Sequence, residues 1–219
     1  IRDSGKWDQV TVQKIRTAPF DEHLSIISLL NGKLCEMFTE CYRTDSCISK
    51  LYEYLICSRQ NHSTMMLEDV RRLAEKDLEE QKRSELLTRE QERTLQRVIG
   101  ILDRFSAELK GEMFIGDAAF DEIRDMFGRE TEALDALTAH VSETLDNVFR
   151  FLEETFGESQ EMVAFVTELN ANFYSTWFIR ENGCDLYYRY NKGLLFDDRQ
   201  QDIMREMDEA EDMLNSGLR

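Results

Sequence analysis

Apolar residues recur at intervals of three and four along most of the chain, which is the spacing of amphipathic helices. The pattern is clearest from Leu134 to Leu152 and from Leu95 to Leu109. In the first stretch the apolar positions are 3, 4, 4, 3 and 4 residues apart, so they form one seam like that of a coiled coil. We therefore predict an all-α protein held together by such seams.

Residues typical of helix ends divide this pattern into segments. In the region 20–58, Asn31-Gly32 interrupts the apolar stripe, and Thr44-Asp45-Ser46 supplies caps for a new helix. These signals predict a helical hairpin over 20–58.

The region 65–110 has an almost wholly charged stretch from Glu79 to Glu85. Thr88 and Gln91 then have the spacing of a capping box. The region is therefore either one long helix or two helices that meet near 84–88.

Glycines follow several of the later apolar runs and are predicted to end helices. Gly128 should end a short helix that begins at Asp117, and Gly157 should end the seam helix. A helix from Ser159 should end at Asn182-Gly183, and a last helix is expected beyond 197.

The predicted architecture is an elongated bundle of six to eight helices. Residues 1–19 form an N-terminal arm and 20–219 the helical bundle. Within the bundle, the hairpin 20–58 packs on a main body, 64–219.

Composition supports this fold class, because the 219 residues include only 1 proline and 10 glycines. Sandwiches and barrels need many turns, and turns need these two residue types. All-β architectures are therefore excluded.

The net charge of −17 narrows the range of partners. The stretch 113–172 alone contains 3 basic and 14 acidic residues. Such a surface repels nucleic acids and anionic membranes, so neither is expected as a partner. It can attract a basic protein, and exposed heptad seams also favour a homodimer.

The five cysteines are Cys35, Cys41, Cys47, Cys57 and Cys184. Their odd number and wide spacing do not resemble a disulfide framework, and no CxxC pair suggests a zinc site. We interpret them as small buried hydrophobes in a reducing, cytoplasmic compartment. No cofactor is expected.

The most unusual stretch is Phe173–Phe196, where eight aromatic residues are interleaved with basic ones. Aromatic residues with a polar end are common at interfaces and in ligand pockets. Filling of a wide bundle end by large side chains would produce the same composition. The residues predicted to bind a ligand or partner are Trp177, Arg180, Tyr187, Arg189 and Lys192.

A second candidate site consists of Asp117, Asp121 and Asp125, which share one helix face at i, i+4 and i+8. Together with carboxylates from a neighbouring helix they could hold a divalent cation. An ordinary solvated face has the same pattern.

No Walker A loop, GxGxxG or GxSxG motif occurs, and no ExxH pair supports a di-iron site. The sequence therefore predicts a non-catalytic interaction or regulatory module that binds a protein partner through acidic and aromatic surfaces. The alternative is a helical-bundle sensor of a small anionic ligand or a divalent metal.

Overall fold

The structure, a computed structural model, describes residues 9–60, 67–108 and 117–194, with side chains for 12–57, 68–104 and 118–191. These ranges contain eight helices and no strand, which confirms the prediction of an all-α, multi-helix fold. The helices are α1 (Gln9–Arg16), α2 (Phe20–Gln60), α3 (Leu67–Arg83), α4 (Arg89–Glu108), α5 (Asp117–Phe156), α6 (Gln160–Asn170), α7 (Phe173–Asn182) and α8 (Asp185–Leu194).

The chain divides into two compact units. Unit 1 combines Ile1–Met37 with Val141–Arg219, and unit 2 is Phe38–His140. Both boundaries fall inside helices, so α2 and α5 each contribute to both units. The division predicted from the sequence, into an arm and a bundle, stays a prediction. Part of the predicted arm forms helix α1.

Aromatic side chains fill much of the core of unit 1. Phe149 of α5 packs edge-on against Phe165 of α6, with ring centroids 5.1 Å apart. Tyr190 of α8 stacks on the same Phe149 at 6.0 Å. Burial of aromatic surface in these pairs fixes α6 and α8 against α5.

In unit 2 the helices α3, α4 and α5 alternate in direction, so that each is antiparallel to the next. Lys82 near the end of α3 pairs with Glu92 near the start of α4 at 2.8 Å. Arg104 near the end of α4 pairs with Glu122 near the start of α5 at 2.6 Å. Apolar residues from these helices and from α2 form one core; its fully buried members include Leu51, Tyr54, Leu95, Val98, Leu102 and Ile123.

The hairpin predicted for 20–58 is wrong, because α2 is a single helix of 41 residues. Asn31 does not break it; its buried amide donates to the backbone carbonyl of Phe165, 3.3 Å away. Thr44 does not cap a new helix either, since its hydroxyl donates to the Glu40 carbonyl within α2 at 3.0 Å. Packing of one continuous apolar face outweighs the roughly 1 kcal/mol that a glycine costs inside a helix.

The stop predicted at Gly128 is also wrong, because α5 continues through it to Phe156. Ile123 and Met126 before the glycine and Val141 and Leu145 after it are all buried. Burial on both sides keeps the chain helical at Gly128.

Other predicted ends are confirmed. Of the two alternatives for 65–110, the structure has two helices, and α4 begins with the predicted capping box: the amide of Thr88 donates to Gln91 Oε1 at 3.1 Å and the amide of Gln91 to Thr88 Oγ1 at 3.2 Å. Gly157 and Gly183 end α5 and α7 with φ of 65° and 69°. The final helix predicted beyond 197 lies outside the described residues.

The break near Asn172 and the helix α8 were not predicted. The segment expected to be one helix from Ser159 to Asn182 is two helices, α6 and α7. The side chain of Asn172 caps α7 by accepting a hydrogen bond from the amide of Ser175 at 3.0 Å.

Candidate functional site

Among the described side chains of the aromatic stretch, the most exposed aromatic residue lies on α7. The buried residues of α7, Ser175, Phe178 and Ile179, face the core of unit 1. Phe173, Trp177 and Arg180 follow at i, i+4 and i+7 and therefore share another face. Phe173 is 67% exposed, Trp177 is half-buried and Arg180 is exposed. We call these three residues the α7 surface.

Tyr187 belongs to the packed interior of unit 1 rather than to the α7 surface. Its side chain is buried, and its hydroxyl donates to Asn170 Oδ1 of α6. The amide of Asn170 in turn donates to Asn191 Oδ1 at 2.8 Å. Burial raises the pKa of Tyr187, so the hydroxyl stays a donor at neutral pH. The three side chains fix α8 to α6.

Arg189 is also engaged within unit 1. Its guanidinium pairs with Glu153 of α5 and lies 4.9 Å from the ring centroid of Tyr190. The Glu153 carboxylate offsets the charge of Arg189 and so weakens its attraction for an anion. We therefore interpret Arg189 as a residue that holds α8 against α5.

The five residues predicted as one site thus fall into separate places. Trp177 and Arg180 lie on the α7 surface, while Tyr187 and Arg189 hold helices together. Lys192 belongs to α8, but its side chain lies outside the described residues.

The predicted metal row gains no support from the side chains that the structure describes. Asp121 and Asp125 are exposed, and both lie near Arg124, at 2.9 Å and 3.7 Å. Asp117 is the first residue of α5, and its side chain is not among those described. Within the described ranges, no three His, Cys, Asp or Glu side chains come together in a way that could hold a metal ion.

The five cysteines form no disulfide with one another, and several of their side chains are deeply buried. Burial raises the pKa of Cys41 and Cys184 to about 11 and that of Cys47 to about 12. These three thiols remain protonated near pH 7 and are poor nucleophiles and metal ligands.

Sequence reasoning missed a groove between α4 and α5 in unit 2. The groove has a volume of about 690 Å³ and a floor formed by the buried residues Ile101 and Met126. Four arginines line it: Arg93, Arg97, Arg104 and Arg129. The spacing of the first three on one face of α4 was a usable signal, but Arg129 comes from a helix that the sequence pattern divided at Gly128.

A second, smaller cavity of about 370 Å³ adjoins Arg97 and Arg129 and collects carboxylates from three helices. Glu40, Glu90 and Glu130 line it, and Thr94 donates to Glu130 Oε1 at 3.1 Å. Burial raises the pKa of Glu130, and the charges of Glu90 and Glu40 raise it further.

Comparison with protein-family models, with curated proteins and with solved structures finds no match to this chain. None of the helices in the described ranges combines the length and the apolar character that crossing a bilayer requires.

Proposed function

We propose that this chain is a non-catalytic, cytoplasmic interaction or regulatory module that binds a basic protein partner. The observation that carries the proposal is the α7 surface, where Phe173 holds 67% of its area open to solvent beside Trp177 and Arg180. Tryptophan and arginine are enriched among the residues that contribute most to binding at protein interfaces. A phenylalanine exposed to this extent gains apolar burial when a partner covers it.

The α7 surface is built on a rigid support. Asn172 caps the start of α7, Gly183 follows its end, and Phe178 and Ile179 anchor its inner face. A surface that is ordered before binding loses little conformational entropy on association. This rigidity supports recognition of a partner by α7.

Charge supports a basic partner. Glu181 follows Arg180 directly and is exposed, and Asp185 at the start of α8 is exposed as well. The whole chain adds a net charge of −17, which steers positively charged proteins toward it. An apolar segment flanked by lysine or arginine has the complementary chemistry.

The alternative function, sensing of a small anion or a divalent metal, finds less support at the aromatic stretch. Arg189 forms an ion pair with Glu153, and the hydroxyl of Tyr187 donates a hydrogen bond to Asn170. The carboxylates Asp121 and Asp125 lie in solvent beside Arg124.

A pair of matched variants tests the interaction function. Phe173→Ser removes the most exposed aromatic of α7, and Leu29→Ser removes a residue of α2 that is 66% exposed. Each immobilised protein is incubated with a lysate of its source cells, and captured proteins are identified by mass spectrometry. A captured protein is then purified and titrated by calorimetry.

We expect wild type and Leu29→Ser to bind one basic protein with similar affinity, and Phe173→Ser to bind it at least about ten-fold more weakly. If the captured protein is the chain itself, native mass spectrometry should show a dimer that Phe173→Ser dissociates. Equal binding by all three proteins would contradict the role of α7. Enzymatic turnover by the purified chain would contradict the non-catalytic assignment.

A further inference from the structure

The arginine-lined groove of unit 2 is a concave site with an apolar floor and a cationic wall. Arg93, Arg97, Gly100 and Arg104 share one face of α4, and Arg129 faces them from α5. Gly100 has no side chain, and an added Cβ there would meet no atom within 4 Å. The middle of the groove is therefore open.

The charges in the groove are only partly neutralised by the protein. Arg104 is engaged by both oxygens of Glu122, at 2.6 Å and 2.8 Å. Arg93, Arg97 and Arg129 form no ion pair with any carboxylate of the described residues, although other arginines of unit 2 do. Those paired arginines are Arg71, Arg72, Arg104 and Arg124.

Carboxylates near the groove reduce its potential, and Arg129 interacts electrostatically with the neighbouring Glu130, but none of the described carboxylates forms an ion pair with Arg93, Arg97 or Arg129. Glu122 is held by Arg104, and Asp125 lies 3.7 Å from Arg124. Glu90 and Glu130 line the neighbouring cavity that shares Arg97 and Arg129. The groove itself keeps an excess of positive charge inside a chain of net charge −17.

We propose that this groove binds a small organic molecule that carries two or more phosphate groups. Guanidinium groups bind phosphate oxygens through paired hydrogen bonds, and three available arginines match more than one phosphate. Ile101 and Met126 on the floor can cover an apolar part of the same molecule. The volume of about 690 Å³ lies within the range of small-molecule sites.

The size of the ligand follows from the charge of the whole chain. A long polyanion such as a nucleic acid, or an acidic protein, would extend over the acidic surface around the groove and be repelled. A small ligand contacts only the local arginines. The site lies in unit 2, whereas the α7 surface lies in unit 1, so this proposal does not depend on the proposed function.

Calorimetric titration of the full chain tests the proposal, with inorganic pyrophosphate as the probe and orthophosphate and citrate as comparisons. At physiological ionic strength, we expect pyrophosphate to bind with one-to-one stoichiometry and about ten-fold more tightly than either comparison ion. Citrate that binds as tightly as pyrophosphate would overturn the assignment to phosphate. No heat of binding with pyrophosphate at millimolar concentration would overturn the site.

Substitution of glycines provides variants that keep the fold. Gly100→Glu places a carboxylate in the groove and should abolish pyrophosphate binding, while Gly100→Gln tests the effect of size alone. Gly32→Glu makes the same change of charge in α2, where an added Cβ also meets no atom within 4 Å. We expect Gly32→Glu to bind like wild type; equal losses in Gly32→Glu and Gly100→Glu would overturn the proposal.

Removal of single arginines gives an independent test. Arg97→Gln and Arg129→Gln should each weaken pyrophosphate binding about ten-fold. Arg72→Gln on α3 has the same change of charge, and its arginine does not line the groove. Losses of similar size in all three variants would show a general effect of charge and would overturn the groove as the binding site.

Discussion

His23 of α2 and Glu161 of α6 connect two helices of unit 1 through a part-buried hydrogen bond. His23 Nδ1 lies 2.9 Å from Glu161 Oε1, and its Nε2 lies 2.7 Å from the backbone carbonyl of Ile15. The ring also packs on Phe156, with centroids 4.7 Å apart. Both ring nitrogens face oxygen acceptors, so the ring can donate to both only when it carries two protons.

The first prediction concerns the acid side of this pair. Burial acts to raise the pKa of Glu161, but hydrogen bonding to His23 and to backbone holds it below its ordinary value of 4.5. A carboxyl whose pKa is lowered by folding stabilises the protein above its unfolded pKa, and that stabilisation is lost as the pH falls through the folded value. Glu161→Gln should therefore reduce the free energy of unfolding at pH 7 by about 1 kcal/mol.

Urea denaturation at several pH values measures this effect. The difference between wild type and Glu161→Gln should shrink below pH 4.5, where the wild-type carboxyl also becomes neutral. A difference that stays constant down to pH 3 would show that the charge of Glu161 contributes nothing.

The second prediction concerns Glu130 of unit 2, where removal of the carboxylate charge should increase stability instead of reducing it. Burial, with the charges of Glu90 and Glu40, raises the pKa of Glu130 above its ordinary value of 4.5. Its ionised form is thus less favourable in the folded protein, and stability falls as the pH rises above 4.5. Glu130→Gln keeps an acceptor for Thr94 and should raise the free energy of unfolding at pH 7 by up to about 1 kcal/mol.

The same denaturation series tests Glu130→Gln, with Glu132→Gln as a control on the exposed side of α5. The control should stay within about 0.5 kcal/mol of wild type. A loss of stability in Glu130→Gln at pH 7 would contradict the unfavourable burial of this carboxylate.

The third prediction compares two glycines of different conformation. Gly128 lies inside α5 with no atom near an added Cβ, so Gly128→Ala should raise stability by about 0.5–1 kcal/mol. Gly157 ends α5 with a φ of 65°, and Gly157→Ala should reduce stability by about 1 kcal/mol. Thermal unfolding followed by circular dichroism measures both. A lower melting temperature for Gly128→Ala would indicate that α5 is interrupted at this residue.

The fourth prediction separates scaffold from surface in the aromatic stretch. Tyr187→Phe removes the hydroxyl that donates to Asn170 and should reduce the free energy of unfolding by about 1–2 kcal/mol. At temperatures well below unfolding it should not change partner binding. Trp177→Ala on the α7 surface should weaken partner binding, and it should reduce stability less than Tyr187→Phe does. Calorimetry and urea denaturation on the same two variants distinguish these outcomes.

The helical class and several helix ends could be predicted because they depend on local chemistry. Thr88 and Gln91 hydrogen-bond to each other within four residues, and Gly157 adopts a conformation that favours glycine. Signals of this kind can be read from a few neighbouring residues and do not depend on distant parts of the chain.

The length of α2 and α5 could not be predicted, because distant packing overrides weak local signals. Asn31-Gly32 resembles a turn, yet Asn31 is fixed by a carbonyl 134 residues away. Gly128 resembles a helix end, yet α5 has buried residues on both sides of it. A glycine inside a helix costs about 1 kcal/mol, which is less than the free energy gained by burying the apolar residues on both sides of it.

The positions of the candidate side chains in the fold could be predicted only in part, because they depend on how the helices pack. Composition located the aromatic stretch, but it could not separate the exposed Phe173 from the buried Tyr187. The arginine groove depends on the approach of α4 to α5, and Arg97 and Arg129 are far apart in sequence. Such a site becomes visible only when the helices are assembled.

The buried thiols offer a way to time the opening of each unit separately. Cys47 lies in the core of unit 2 and Cys184 in unit 1, and neither is more than 7% exposed. An alkylating reagent can reach these sulfurs only when the surrounding helices separate, so the modification rate reports the free energy of local opening. The mass of each labelled peptide would then show which half of the molecule unfolds first.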